Sequence, residues 1–480
     1  MERFDLLGPL PDHRSTTVLE ASAGTGKTFA LAGLVTRYLA EGAATLDEML
    51  LITFGRAASQ ELRERVRSQI RDAAEALGGA GSSGDNELIR QLRDAPADVV
   101  AARAERLRAA LAGFDAATIA TTHQFCQLVL KSLGVVGDTD AGVTLVDNVD
   151  DLVGEIVDDL YLARFSQDRT DPPFRRDVAL ALAREVVRNP GVELRPTDPA
   201  PGSPAAVRLA FATDVLTELE HRKRRLGILG YDDLLSRLAD VLEPLDSAAR
   251  KRMSARWRIV MVDEFQDTDP VQWQVIERSF VGQSTVILIG DPKQAIYAFR
   301  GGDIVTYLAA ARDAGDRRTL GENWRSDAVL VDSLQTVLRG AALGDPEIVV
   351  RDVSARHAGH RLAGAPHNAP FRLRVVSRET FGVKPDRIIP IDRLRRHIGA
   401  DLAADIAALL ASGATFDGKP VRAADIAVIV EKHRDARACH DALTAAGIPA
   451  VYTGDTDVFA SRAAADWLCL LEAFDATHRA

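Results

Sequence analysis

Glu20-Ala21-Ser22-Ala23-Gly24-Thr25-Gly26-Lys27-Thr28 follows the apolar pair Val18-Leu19 and precedes a stretch of helical periodicity. Strand, glycine-rich loop and helix in that order let backbone N–H groups and a helix N-terminus cradle phosphates. In such a cradle, formed here by Ala21 to Thr28, Lys27 reaches the β- and γ-phosphates and Thr28 holds Mg²⁺. The bland alternative is a glycine turn followed by an ordinary surface lysine. The usual pattern has Gly where Ala21 stands.

A second stretch tips the balance. Ile259-Val260-Met261-Val262 reads as a buried strand, and it ends in Asp263-Glu264. Two adjacent acids at the end of a buried strand are costly unless hydrated or bound to a metal. Asp263 can complete a Mg²⁺ shell, and Glu264 can orient or deprotonate an attacking water. Alone, the pair could be a helix cap beside an exposed acid. With the Gly-x-Gly-Lys-Thr loop upstream, the two stretches together point to Mg²⁺-dependent hydrolysis of a nucleoside triphosphate such as ATP.

Across the chain, candidate strands are Thr17–Leu19, Met49–Thr53, Arg258–Val262, Thr285–Ile289, Phe371–Val376 and Asp425–Val430. The first four run into polar residues, as in parallel α/β sheets whose ligands lie beyond the carboxyl ends of the strands. From Arg56 to Leu77, Ala58, Leu62, Val66 and Ile70 recur every fourth residue and predict a helix. Arg63, Arg67 and Arg71 line a neighbouring face, read as solvated and ion-paired, with phosphate contact the sharper alternative. Residues from about 150 to 227 are helical in pattern. Their run His221-Arg222-Lys223-Arg224-Arg225 reads as a solvated helix end, with DNA contact the alternative. Trp257, Trp273 and Trp467 read as core.

The 480 residues leave room for about three domains. With 46% hydrophobic and 27% charged residues, wholesale disorder is excluded. No apolar run approaches the roughly 18 residues that span a bilayer, so no membrane association is expected. The first residues show no signal-peptide pattern. Cys126, Cys439 and Cys469 lie too far apart for a disulfide framework or a metal cluster, so the expected compartment is a reducing cytoplasm. The net charge of −10 and pI near 5.6 argue against a globally basic nucleic-acid binder. They exclude little, because an electrostatic footprint is local.

Further blocks decide what kind of hydrolase this is. They are Asp263–Gln272, Ile289–Gly301 (with Gly290-Asp291-Pro292-Lys293-Gln294 and Tyr297-Ala298-Phe299-Arg300-Gly301) and Asn323-Trp324-Arg325-Ser326. Thr53-Phe54 with Glu61-Leu62-Arg63, Thr121-Thr122-His123-Gln124-Phe125-Cys126 and Tyr231-Asp232-Asp233-Leu234-Leu235 complete the set. In this order the blocks resemble the motifs of superfamily-one DNA helicases of the UvrD and RecB type. Ala21, the spans Asp263–Gln272 and Ile289–Gly301, and Val421–Val430 followed by His440–Asp457 resemble the RecB subgroup more than UvrD.

The resemblance implies roles position by position. Gln294 senses the γ-phosphate and couples it to DNA. Arg325 acts as an arginine finger, and Trp324 stacks near the adenine. Phe54, Thr122, His123, Tyr297 and Phe299 contact single-stranded DNA. Aromatic stacking, worth about 1–3 kcal/mol per base, tolerates every sequence, as a motor requires. Core packing is the alternative for Tyr297 and Phe299, and a structural hydrogen bond for His123. The resemblance further implies 3′-to-5′ movement, work on single- and double-stranded DNA, and RecC-like and RecD-like partner subunits in double-strand break repair and recombination.

The expected fold is α/β, a P-loop NTPase. A RecA-like lobe spans 1–135 and 228–328, interrupted by a mainly helical insertion at 136–227. An incomplete second RecA-like lobe covers 329–480. The chain departs from the family in several ways. No glutamine precedes the phosphate loop, where UvrD relatives read adenine. Phe29 stands where those relatives often have Arg, and the span from His123 to Tyr231 is short. No Thr-x-His-x-x-Lys-Gly-Leu-Glu block, no second motif arginine after it and no nuclease-like acid cluster is found. A piece of a longer protein is therefore expected, with weak nucleotide binding and no unwinding by itself. The competing readings are a stand-alone UvrD-like repair helicase and an inactive nucleotide- or DNA-binding module.

Overall fold

A computed structural model describes residues 1–79, 86–133, 144–146, 148–166, 172–189, 193–298, 301–384, 386–453 and 458–475. The chain forms two compact units. The first holds Met1–Ser326 and Leu338–Arg356, and the second holds Asp327–Val337 and the residues from His357 onward.

The first unit is built on a seven-stranded sheet in which every pairing is parallel. Its strands are β1 (Glu2–Arg3), β2 (Thr16–Ala21), β3 (Met49–Thr53), β4 (Thr118–Thr121), β5 (Ile259–Val262), β6 (Thr285–Gly290) and β7 (Asp316–Leu320). Their order is β1-β7-β2-β6-β5-β3-β4. The four strands expected in this region are β2, β3, β5 and β6, with β3 at the expected bounds and the ends of the others within two residues. The three others carry weaker signals. β4 is Thr-Ile-Ala-Thr, and the half-buried β7 is Asp-Arg-Arg-Thr-Leu.

A parallel sheet must be covered on both faces, and its side chains alternate between them. Leu19, Leu51, Ile119, Met261 and Ile287 face helices α1 (Lys27–Ala40), α2 (Arg56–Leu77) and, beyond α3 (Glu87–Arg93), α4 (Ala97–Ala112). Val18, Leu50, Ile52, Val260 and Leu288 face the other way. They meet α5 (Thr122–Leu133) and, after α6 (Asp150–Phe165), α7 (Arg176–Arg188) and α8 (Pro204–Leu226), also α9 (Tyr231–Val241), α10 (Ala248–Arg256), α11 (Pro270–Phe280) and α12 (Ile304–Asp313). Helices α6 to α8 pack around a core of their own, with Val153, Ile156, Ala179, Phe211 and Val215 fully buried.

Helix α2 has the expected bounds, but its buried stripe begins at Ser59, and Ala58 is exposed. Of its arginines, Arg67 and Arg71 are exposed as expected, with Arg71 3.9 Å from Asp72, whereas Arg63 turns inward. The Arg63 guanidinium donates to the carbonyls of Ala117 and Ile119, and Arg67 lies over the Phe114 ring. In the basic run at the end of α8, His221, Arg224 and Arg225 are exposed as expected, and the other two are tied inward. Arg222 pairs with Asp159 and Glu218, and the buried Lys223 lies between Glu220 and Asp233.

The second unit contains all but the last residue of α13 (Ala328–Leu338), then α14 (Ile391–Ala411), α15 (His433–Ala445) and α16 (Arg462–Asp475), with small antiparallel pairings among Leu362–Ala363, Thr415–Phe416 and Lys419–Pro420. Gly399 admits α15: a side chain there would meet Ala442 Cβ at 3.3 Å. The core is small, formed by Ala403, Ile406, Leu443 and Ile448.

The strands expected at Phe371–Val376 and Asp425–Val430 are not formed. Neither belongs to a ladder among the described residues, and Asp425 instead ends a 3-10 turn, Ala423–Asp425. Apolar alternation signals a strand only where a neighbour supplies the hydrogen bonds. Here Arg372 and Arg374 fasten the first stretch to Asp405 and Asp401 of α14 through side chains instead, and Val375 and Ile429 stay 90% and 93% exposed. Trp467 also departs from expectation, at 63% exposed, whereas Trp257 is buried between Phe125 and Phe280 and donates to the Thr118 hydroxyl.

The contrast is testable by denaturant unfolding. Trp257→Ala should cost the first unit about 3–5 kcal/mol. Trp467→Ala should stay within about 0.5 kcal/mol of the parent.

Candidate nucleotide site and nucleic-acid face

The phosphate loop joins the end of β2 to the start of α1. Gly24 and Gly26 adopt left-handed backbone angles, φ 79° and 84°, and Thr25 closes the turn by donating from its N–H and its hydroxyl to the Ser22 carbonyl. Gly24 is also required by space. A Cβ there would lie 2.9 Å from Arg325 Cβ and from Asn323 Oδ1.

That crowding has a source in strand β8 (Glu322–Asp327), which lies against the loop. The Trp324 N–H donates to the Gly24 carbonyl at 2.8 Å, and the Asn323 amide donates to the Ala23 carbonyl at 3.0 Å. Asn323 also accepts from the N–H groups of Arg325 and Ser326. The Asn-Trp-Arg-Ser block is thus clamped to the phosphate loop by backbone and amide bonds. Arg325 stands beside Gly24, and the half-exposed Trp324 beside Gly26, its ring 5.0 Å from the Arg356 guanidinium.

The paired acids arrive at the carboxyl end of β5. Lys27 Nζ lies 2.6 Å from Glu264 Oε2. Glu264 itself has φ 51°, a left-handed conformation that costs a non-glycine residue of order 1 kcal/mol and is held by its neighbours. Its N–H donates to Asp263 Oδ1. Asp263 is pushed up to about 6 by burial and by the adjacent Glu264 charge, with Lys27 opposing. Asp267 is pushed to about 6 as well, by burial and Glu264, and its Oδ1 is buried without a hydrogen-bond partner. The site thus crowds three carboxylates around one ammonium, which suits a divalent cation. Thr28, next to Lys27, and Asp263 offer the oxygen donors that Mg²⁺ takes.

Gln294 follows the end of β6, where its amide donates to Asp291 Oδ2 at 2.7 Å. Sequence reasoning gave Gln266 and Asp291 no role, yet they bridge the acids to Gln294. Gln266 donates to Glu264 and Asp267 and accepts from the Asp291 N–H at 2.9 Å. The signal available was their position inside the Asp263–Gln272 and Ile289–Gly301 blocks.

Among the residues expected to meet DNA, Phe54 and Tyr297 come together, with ring centroids 5.0 Å apart and planes at 31°. His123 is half-buried and faces Asp232 at 3.9 Å. Thr122 is buried at the start of α5 and does not present its side chain. Phe125 and Cys126 are core residues, and burial pushes the Cys126 thiol up. Phe299 lies outside the described residues.

A model of the UvrD/REP helicase N-terminal domain matches residues 9–315. This chain belongs to the UvrD/REP helicase family. It is 72% identical over its full length to RecBCD enzyme subunit RecB of Mycolicibacterium smegmatis, covering 44% of that relative. It is 68% identical to the same subunit of Mycobacterium tuberculosis, again covering 44%, and 29% identical to that of Escherichia coli over 95% of this chain and 49% of the relative. The chain therefore spans about half the length of these relatives. A UvrD1 helicase of Mycobacterium bovis is 25% identical over 96% of the chain.

In a helicase of this family, the raised acids have a stability consequence of definite sign. Between about pH 4 and 6 the native state holds protons that the unfolded state has released, so stability falls as pH rises through that window and levels off above it. Asp263→Asn should stabilise the metal-free protein at pH 7.5 by about 1–2 kcal/mol and change it little at pH 4. Chemical denaturation at the two pH values checks this.

Proposed function

We propose that this chain is the ATP-driven motor of a RecB-type helicase, moving 3′-to-5′ on single-stranded DNA in double-strand break repair and recombination. The observation that carries the reading is the meeting of Lys27, Asp263 and Glu264 at one edge of the parallel sheet, with the Arg325 strand clamped to the same phosphate loop. Assembly with RecC-like and RecD-like subunits in the cytoplasm, on single- and double-stranded DNA, belongs to the same proposal. It rests on the relatives named RecBCD enzyme subunit RecB.

The residues present fit ATP and Mg²⁺. When bound, the ion neutralises phosphate charge, and Thr28 and Asp263 are its protein donors. The backbone from Ala21 to Thr28 cradles the phosphates. Lys27 exchanges Glu264 for the β- and γ-phosphates, and this frees the Glu264 carboxylate to orient water and take its proton. Gln294 contacts the γ-phosphate, and Arg325 meets charge developing on the transferred phosphoryl group. Trp324 offers a ring for the adenine. Phe54 and Tyr297, with His123 and Phe299, supply the DNA contacts. The convergence of Lys27, Asp263 and Glu264 with the clamped Arg325 strand supports hydrolysis over nucleotide binding alone.

The test is DNA-stimulated ATP hydrolysis by the native polypeptide. Lys27→Ala should abolish it, with a loss of at least about a hundredfold, and Arg325→Ala should reduce it by about 10³ or more. Nucleotide- and DNA-binding functions that survive Lys27→Ala unchanged, with no hydrolysis to lose, would replace the motor with a binding module.

A further inference from the structure

The polar contacts of the site continue past the nucleotide pocket. From Lys27 they run to Glu264, Gln266 and Asp291, as described above. Asp291 Oδ1 then pairs with Lys293 Nζ at 2.6 Å, and Lys293 Nζ lies 3.4 Å from Glu20 Oε1. Arg351 Nε stands 3.5 Å from that same Glu20 oxygen. Glu20 is the last polar residue before the phosphate loop and is 3% exposed. A buried carboxylate persists only when paired, and this one has two cationic neighbours of different origin. Lys293 is adjacent to Gln294. Arg351 belongs to Leu338–Arg356, the piece of the first unit that lies in sequence between the two stretches of the second.

The contacts at Glu20 are shared rather than saturated. Lys293 sits closer to Asp291 than to Glu20, and Arg351 Nε, buried, completes no hydrogen bond there. The Tyr307 hydroxyl and Arg317 Nε are also buried without partners, and the charges of Glu20, Asp291, Arg317 and Arg351 all act on that hydroxyl. With three buried donors left unpartnered beside two carboxylates, the cluster has partners to exchange without leaving a carboxylate unpaired. Any shift of Asp291, which also holds Gln294, redistributes Lys293 and so alters the hold of Glu20 on Arg351.

We propose that Glu20 is a positioning residue that links the nucleotide-sensing loop at Asp291–Gln294 to the Arg351 segment, passing nucleotide state toward the chain connections of the second unit. This deepens the proposed motor function and rests on it. It gives a role to Lys293 and Glu20 that phosphate binding alone does not require.

The test measures coupling rather than rate. Affinity of the native polypeptide for fluorescent oligo(dT) is read by anisotropy, with and without Mg²⁺ and a non-hydrolysable ATP analogue. The ratio of the two affinities should be of the order of 5–150-fold in the unmodified protein. Glu20→Gln should bring it to within about twofold of unity while leaving affinity for the analogue within about threefold. Arg351→Gln, at a partly exposed position, should do the same even if Glu20→Gln folds poorly, and the double variant should lose nothing more. Either variant retaining the full ratio would overturn the link while the motor stands. An unmodified protein whose DNA affinity ignores the analogue would overturn the motor reading, and the link with it.

Discussion

The ammonium of Lys27 and the carboxylate of Glu264 touch at 2.6 Å across a sequence separation of 237 residues. Nothing local brings them together. They meet because β2 and β5 both flank β6 in parallel register, so their carboxyl ends open at the same edge. A parallel sheet needs long crossover connections, and these hold the intervening helices, including the separately cored α6 to α8. The hydrophobic alternation of Val18-Leu19 and Val260-Met261 across the two faces is therefore the constraint that makes the chemistry possible. Slipping either strand by one residue would invert its faces and move its terminal functional group off the edge.

The edge is electrostatically unrelaxed. Asp263, Glu264 and Asp267 crowd one lysine, two of them are pushed up to about 6, and Glu264 holds a left-handed backbone. A core built only for stability would avoid each of these features. Their coincidence beyond the strand ends, where an open α/β sheet binds its ligands, is what the proposed function asks of a site for a polyanion and its cation. Gln266 gives the crowd its order. Its amide donates toward Glu264 and Asp267 while its carbonyl accepts from Asp291, so the acids and the Gln294 loop are held by one side chain.

Most of the site was legible because its residues are local punctuation. The glycine loop, the acids closing a strand, and the helix of Arg56–Leu77 each declare themselves within a dozen residues. What was not legible depended on partners. β7 reads as a charged segment, yet it is a strand because β1 and β2 flank it. Phe371–Val376 reads as a strand, yet forms none without a ladder. Gln266 and Glu20 look unremarkable in one dimension, because their meaning lies in contacts to residues 25 and 273 positions away. The Asn-Trp-Arg-Ser block could be spotted, but not that Asn323 is the clamp holding it to Ala23.

The arginines show why net charge misleads. Arg63 and Arg67 on α2, Arg222 and Lys223 on α8, and Arg372, Arg374 and Arg395 in the second unit are all engaged by carbonyls, rings or carboxylates of the chain itself. A count of basic residues thus overstates the positive charge available to a nucleic acid. Under the proposed function, affinity for single-stranded DNA would lean on the aromatic pair Phe54 and Tyr297 more than on a basic stripe. Stacking of this kind is blind to base identity and weakly screened by salt, in contrast to phosphate contacts. The same arginines show where the sequence invites over-reading. Regular spacing on a helix face is equally well produced by the need to cap neighbouring carbonyls, as Arg63 does for Ala117 and Ile119 at the approach to β4.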